Sequence, residues 1–146
     1  MITTANVYVA IKQRLELLFN NVEIKDIKTI TKPCFYIEST GSNNKTVANE
    51  TMQSQMTFNV VYFAENNELS ELLAKEIILK ANFIKPLKVG SKHLTPTIAF
   101  EVDELDEYTL TMSLEFDFYQ NNDINPYADE PNNELMQNLN VKINKN

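Results

Sequence analysis

The chain has 146 residues, a net charge of −7 and one cysteine. A domain of about 150 residues buries ~70% of its unfolded surface, so this length suits one domain whose core needs no disulfide or metal. The acidic charge argues against nucleic acid gripped through its phosphates, and no apolar run approaches the ~20 residues that cross a bilayer. Because the N-terminus lacks a signal-peptide pattern and Cys34 has no second cysteine to pair with, we expect a soluble, cytoplasmic protein.

A first helix is predicted over residues 4–19. Thr3 or Thr4 is its candidate N-cap, because a threonine hydroxyl accepts a hydrogen bond from an otherwise unpaired amide at a helix start. The apolar residues recur at spacings of four, four and three, which predicts one stripe for packing on a sheet: Val7, Ile11, Leu15 and Leu18.

Three strands are predicted to follow this helix. Residues 22–30 alternate weakly, residues 34–38 form a short strand opened by Pro33, and residues 52–64 alternate strongly. The polar stretch Ser39–Thr51 between the last two is either a mobile loop or the tip of a long hairpin.

The second half predicts a helix and then further strands. Asn67 is expected to cap a helix from Glu68 to about Asn82, with its Leu and Ile residues buried. A small hairpin (87–89 against 92–95) and a strand (97–102) follow. The acidic turn 103–107 leads into Tyr108–Tyr119, where every even position is apolar and most odd positions are polar.

This order, α-β-β-β-α-β-β-β, predicts an α+β fold with a mostly antiparallel sheet flanked by two helices. We expect residues 1–122 to form the single domain and residues 123–146 to form an extended, Asn-rich C-terminal arm. Leu139, Val141 and Ile143 alternate near its end, which favours addition as a strand to a neighbour's sheet edge. A frayed polar terminus is the alternative.

The residues that often carry chemistry do not combine into a site. His93 is the only histidine, which rules out a two-histidine metal site. Cys34 lies in a predicted strand, where a buried structural thiol is expected. The acidic turn lacks the spacing and glycine of a calcium-binding loop. We predict a protein that is not an enzyme and that needs no cofactor or metal.

Four hydrophobic segments carry a family resemblance: Ile11–Phe19, Pro33–Ile37, Phe58–Phe63 and Leu114–Phe118. With the order of elements, they resemble the phage tail terminators of Gram-positive phages and phage-like tail particles, over about residues 5–120. The resemblance implies a structural protein that forms a ring, commonly a hexamer, on the finished tail tube. Such a ring ends tube polymerisation, joins the tail to a head connector or collar and, in contractile tails, meets the last sheath ring. It gives no role to the arm after Gln120.

A ring subunit needs one surface that contacts its neighbours and another that lines the central channel of the ring, which we call the bore. The polar stretch and the arm are candidates for the contact with neighbours, with these interface residues: Asn43, Lys45, Val47, Met52, Leu139, Val141 and Ile143. Two acidic pairs share strand faces, Glu101 with Asp103 and Glu115 with Asp117. They either line the bore, where like charges repel DNA over a Debye length of ~8 Å, or form a solvated outer face.

Two other functions remain open from the residues. One is a neighbouring head–tail adaptor or completion protein, and the other is a monomeric acidic binding or inhibitor protein that mimics nucleic acid charge. For the terminator, the expected partners are copies of the chain itself, the tail tube protein, and a sheath protein, head connector or collar. No sequence-specific nucleic acid and no membrane are expected. Assembly is expected in the cytoplasm of the bacterial host, before incorporation into a tail.

Overall fold

The computed structural model describes residues 1–25, 31–105 and 107–121. This part of the chain forms two helices and seven strands, and it confirms the α+β class and the predicted order, with the small hairpin after the second helix counted as two strands. The elements are α1 (Thr4–Leu18), β1 (Glu23–Lys25), β2 (Cys34–Ala48), β3 (Thr51–Phe63), α2 (Leu69–Phe83), β4 (Leu87–Val89), β5 (Lys92–Leu94), β6 (Thr97–Asp103) and β7 (Thr109–Asn121).

Five of the strands form one sheet in the order β1-β2-β3-β7-β6, and β4 pairs only with β5. β6 and β7 are antiparallel, with Thr97 opposite Glu115 and Asp103 opposite Thr109. β1 runs parallel to β2, so the edge of the sheet is mixed. β1 is the described part of the strand predicted over 22–30, and residues 26–30 lie outside the described residues.

Both helices and the β4–β5 hairpin pack on the same face of this sheet, which we call the covered face. The alternating apolar residues of β3 and β7 point into it, as the sequence pattern predicts. The largest fully buried side chains there include Phe35, Phe58, Phe83 and Phe116, and the rings of Phe58 and Phe116 meet edge to face with centroids 6.1 Å apart.

Helix α1 begins as predicted. Thr3 is the N-cap: its hydroxyl accepts a hydrogen bond from the Asn6 amide (3.3 Å), and the Asn6 side-chain oxygen accepts one from the Thr3 amide (2.8 Å). Val7, Ile11 and Leu15 are fully buried, and Leu18 is half-buried at the end of the stripe.

Helix α2 corrects two predictions. Asn67 does not cap it; this residue adopts a left-handed conformation (φ 48°) and Glu68 takes the N-cap position without a side-chain cap bond. The helix buries Leu72, Leu79 and Phe83, whereas other aliphatic residues expected in the core are exposed, namely Leu69, Leu73 and Ile77. The burial prediction fails because α2 is apolar around most of its circumference and only one side meets the sheet.

The polar stretch Ser39–Thr51 belongs to a long hairpin, so the mobile-loop alternative is wrong. β2 continues to Ala48, a turn at Asn49 and Glu50 follows, and β3 begins at Thr51. Polar side chains support the pairing: Thr40 Oγ1 donates to Thr57 Oγ1 (2.8 Å) and Ser54 Oγ to Asn44 Oδ1 (2.8 Å). Such cross-strand bonds stabilise a strand that has little apolar surface to bury.

Contacts between Cα atoms divide the chain into two compact units. The first consists of Ile2–Asn44 and Ser54–Phe118 and contains both helices and the hydrophobic core. The described part of the second is Met1, Lys45–Gln53 and Tyr119–Asn121. The predicted domain boundary at residue 122 stays a prediction, because the arm lies outside the described residues.

Candidate interaction surfaces

The face of the sheet opposite the helices is the open face, and small polar side chains dominate it. In the register of β6 and β7 it carries Ala99 opposite Ser113 and Glu101 opposite Thr111. Ser113 Oγ donates to Asn59 Oδ1 on β3 (3.1 Å), and Gln55 Nε2 donates to Asp117 Oδ2 (3.4 Å). These bonds tie neighbouring strands together while leaving the face hydrated.

All four candidate bore residues are exposed on this open face, in two separate pairs. Glu101 and Asp103 lie near one end of the β6–β7 ladder, whereas Glu115 and Asp117 lie near the other. Four residues of strand separate the level of Glu101 from that of Glu115, which corresponds to about 13 Å. The structure therefore brings together the members of each pair but not the two pairs.

The candidate interface residues of the hairpin differ in exposure. Asn43 and Lys45 are exposed and Val47 is 47% exposed, whereas Met52 is only 7% exposed. The side chain of Met52 is therefore buried within the chain itself, and its role at an interface stays a prediction. The other three candidates, Leu139, Val141 and Ile143, lie outside the described residues.

The outer edge of β2 is a further candidate interaction surface, which follows from the sheet topology and not from any single residue. Within the described ranges, β1 pairs with β2 only at Cys34–Tyr36. Beyond that point, on the side of β2 away from β3, no strand among the described residues lies beside Ile37–Asn44. An edge of this kind presents backbone N–H and C=O groups that another strand can pair with.

A carboxylate network holds the start of α2 against the sheet. Glu71 accepts hydrogen bonds from Tyr62 Oη (2.7 Å), the Glu65 amide (2.8 Å) and the Asn66 amide (3.0 Å). Lys75 lies over the Tyr62 ring, 5.1 Å from its centroid. Glu71 does not replace the predicted cap at Asn67; it instead binds the loop that precedes the helix.

This network changes the pKa values of Glu71 and Tyr62. Burial alone would raise the pKa of Glu71, but the bonds from Tyr62, Glu65 and Asn66 and the charge of Lys75 outweigh it and lower that pKa. Burial, and then the bond to Glu71, raises the pKa of Tyr62. An open cleft of about 600 Å³ lies beside these residues, bordered also by Asn21 and Pro33. Because both oxygens of the Glu71 carboxylate already accept hydrogen bonds, we assign Glu71 a structural role.

Arg14 secures the other end of α2. Its guanidinium donates to the carbonyl oxygens of Asn82 (2.9 Å), Lys85 (3.2 Å) and Pro86 (2.8 Å), and burial lowers its pKa. A cation at this position also complements the negative end of the helix dipole. Arg14 therefore ties α1 to the last turn of α2 and to the segment that follows it.

The chemistry-bearing residues of the sequence remain apart. Cys34 is buried, as predicted, and His93 is exposed in β5. No group of three or more His, Cys, Asp or Glu side chains suited to a metal occurs in residues 1–25, 31–105 and 107–121. In the same part of the chain, neither helix is long and apolar enough to span a membrane.

Comparisons with known proteins give one informative match. The sequence model of the family described as phage tail terminator protein matches residues 6–128. A solved structure is similar over 80% of this chain and 96% of its own, with 14% identity and a TM-score of 0.43, a likeness too low to carry an argument. The search of curated proteins returns no match. The family match covers most of the chain, including α2, all the strands described above and all but the first two residues of α1: this protein belongs to the phage tail terminator family and is a structural component of a phage tail.

Proposed function

We propose that this protein forms a ring of the kind that is commonly six-fold. The ring caps the tail tube, ends its polymerisation and joins it to a head connector or collar. The match to the tail terminator family carries the proposal. In a contractile tail the same ring would also meet the last sheath ring. The structure supplies what such a subunit needs: a sheet braced by helices on one face, with an open face and a strand edge accessible to neighbours.

Contacts between ring neighbours would use the hairpin and the arm. Asn43, Lys45 and Val47 are exposed there, and the edge of β2 from Ile37 to Asn44 can accept a strand. The alternating Leu139, Val141 and Ile143 suit that strand, since backbone pairing gives affinity and alternate side chains give specificity. A stable contact of this kind should bury more than ~1,000 Å².

The bore would be lined by the open face. Glu101, Asp103, Glu115 and Asp117 are exposed on it with no basic side chain on the same stretch of β6 or β7. Each pair repels phosphates within about a Debye length of ~8 Å, so DNA passes without adhering. The alternative role, a solvated outer face, makes a different prediction for DNA binding.

A variant with all four residues changed to Lys tests the bore. Rings of the variant should bind DNA at low salt, with an affinity that falls as salt rises, whereas wild-type rings do not. The matched control changes four acidic residues on or beside the helices to Lys, namely Glu16, Glu65, Glu68 and Glu76. It has the same net charge and should bind DNA more weakly, because its lysines do not line the bore. Equal binding by both variants would contradict the assignment.

A pull-down separates tube capping from the adaptor role. The full chain is presented in turn with the tail tube protein and with the connector protein of the same phage. Capture by assembled tubes, together with shorter tubes when the chain is present during assembly, is the expected result. Capture by the connector alone, with tube length unaffected, would favour the head–tail adaptor.

A further inference from the structure

Helix α2 presents an apolar face to solvent, which we call the α2 outer face. Five large aliphatic residues are exposed on it, and Ile77 is the most exposed at 70%: Leu69, Leu73, Ile77, Ile78 and Ile84. The residues between them at this side, Ala74 and Ala81, are exposed as well. Successive helix residues are 100° apart, so Leu69, Leu73 and Ile77 lie within one quarter of the circumference.

This face is too apolar for a surface that remains hydrated. Five half-exposed aliphatic side chains on one helix form a patch on the order of 400 Å², the size at which apolar patches usually mark an interaction site. Ile77, near the centre of the patch, lies about 120–160° around the helix from the buried Leu72, Leu79 and Phe83, whereas Leu69 and Ile78 lie at the two margins of the patch. Packing inside its own unit therefore does not use it.

Among the described residues, the apolar surface that best complements this patch is the patch itself. The other large exposed hydrophobic residues in the described ranges do not form a comparable patch: Met1, Val9, Leu17, Val47, Leu105 and Tyr119. The two that share an element, Val9 and Leu17, are more than two turns apart on α1. A second copy of α2 is the apolar surface of matching size and shape. Two copies meeting through the same patch form a two-fold, isologous contact.

Charge favours an antiparallel arrangement of the two helices. Glu65 and Glu68 lie at the start of α2, whereas Lys80 and Lys85 lie at its end. Antiparallel packing places the acidic end of one helix beside the basic end of the other and also opposes the helix dipoles favourably. Parallel packing would place like charges together.

We propose that the free protein forms an antiparallel dimer through the α2 outer face before it joins a tail. Leu69 of each copy then lies near the partner's Ile84, and Glu68 near the partner's Lys85. The patch supplies about half of the ~800 Å² per partner of a standard interface, so the dimer is weak and separates on dilution. The proposal does not depend on the ring, whose subunits all point the same way along its axis and so cannot use a two-fold contact between neighbours.

Sedimentation velocity on the full chain over a wide concentration range tests the dimer. The wild type should shift from one chain of 16.8 kDa towards twice that mass, and Ile77→Glu should remain monomeric at every concentration. Leu17→Glu is the matched control, since Leu17 is 86% exposed but isolated on α1, and it should dimerise like the wild type. A wild-type monomer throughout, or a dimer that Ile77→Glu leaves intact, would overturn the proposal.

Disulfide trapping tests the orientation independently. In a Cys34→Ala background, Leu69→Cys mixed with Ile84→Cys should give a mixed disulfide. Each variant alone should not, because the two copies of residue 69 lie about 20 Å apart in an antiparallel pair. Disulfides formed by Leu69→Cys alone, or none in the mixture, would rule out this pairing. Binding of a monomeric chain to another tail component through Ile77 would likewise assign the face to that component and reject the dimer.

Discussion

The covered and open faces of the sheet are built from the same strands, yet the covered face is apolar and buried whereas the open face is polar and exposed. On β3, Phe58 is fully buried in the core while the adjacent Asn59 points to the open face and bonds Ser113. The covered face concentrates apolar burial, which provides most of the free energy of folding. The open face holds few groups whose loss would unfold the chain. Its charge can therefore change at little cost to the free energy of folding.

Replacing Phe58 or Asn59 with alanine contrasts the two faces on one strand. Phe58→Ala should lower the free energy of unfolding by about 3–5 kcal/mol, because it leaves a cavity beside Phe116. Asn59→Ala loses one exposed hydrogen bond and should cost no more than about 0.5–1 kcal/mol. Urea unfolding monitored by circular dichroism measures both. Equal losses would mean that the open face is also packed against something.

Arg14→Ala tests whether α1 and α2 act as one layer on the covered face. The change leaves three carbonyl groups at the end of α2 without their charged donor, and we expect a loss of about 2–3 kcal/mol. Arg14→Lys should recover only part of it, since an ammonium cannot reproduce the planar fork of donors. A thermal unfolding curve for each variant is sufficient. Full recovery by lysine would show that only the charge matters.

The pH dependence of the stability of Glu71→Gln, compared with wild type, tests the carboxylate network. Because the folded state lowers the pKa of Glu71, the network stabilises the fold fully above the unfolded pKa of ~4.3, and this stabilisation is lost as the pH falls through the folded pKa. At pH 7 the variant should be less stable by about 1–2 kcal/mol. The difference from wild type should shrink towards pH 3. A difference that stays constant with pH would exclude this origin.

Tyr62 adds the opposite dependence at alkaline pH. Its raised pKa means that its contribution is complete below the unfolded pKa of ~10 and is lost as the pH rises beyond it. Tyr62→Phe should remove this alkaline component, and comparison of wild type and variant between neutral and strongly alkaline pH measures it.

The smallest effect on stability is expected from the acidic open face. Changing Glu101, Asp103, Glu115 and Asp117 to their amides should alter the free energy of unfolding by no more than about 0.5 kcal/mol per residue, since all four are exposed. Relief of repulsion within each pair would make the change slightly stabilising. Chemical unfolding at low and high salt checks this. A large destabilisation would place these residues in the packing of the fold.

The sequence predicted the elements whose pattern is local. Strict alternation identified β3 and β7, and the stripe of Val7, Ile11 and Leu15 identified α1, because one buried face imposes its period on the sequence. The polar half of β2 was ambiguous, since its pairing rests on hydroxyl and amide bonds such as Thr40 with Thr57. The sequence alone did not show that β2 extends to Ala48, because this depends on its pairing with β3.

The candidate surfaces were less predictable. Alternation placed the acidic residues on one face, but only the register separates them into two pairs. The outward position of Leu73 and Ile77 was missed because apolar residues surround most of α2, and periodicity cannot show which side meets the sheet. The same excess of apolar residues is the sequence feature that motivates the proposed contact through the α2 outer face.

Negative-stain electron microscopy of the purified chain, alone and mixed with its tail tube protein, tests the ring most directly. We predict closed rings seated on one end of each tube, and tubes that stop growing once a ring is present. Single copies or pairs in both preparations, with tubes that lengthen unchecked and carry no density at their ends, would contradict the account.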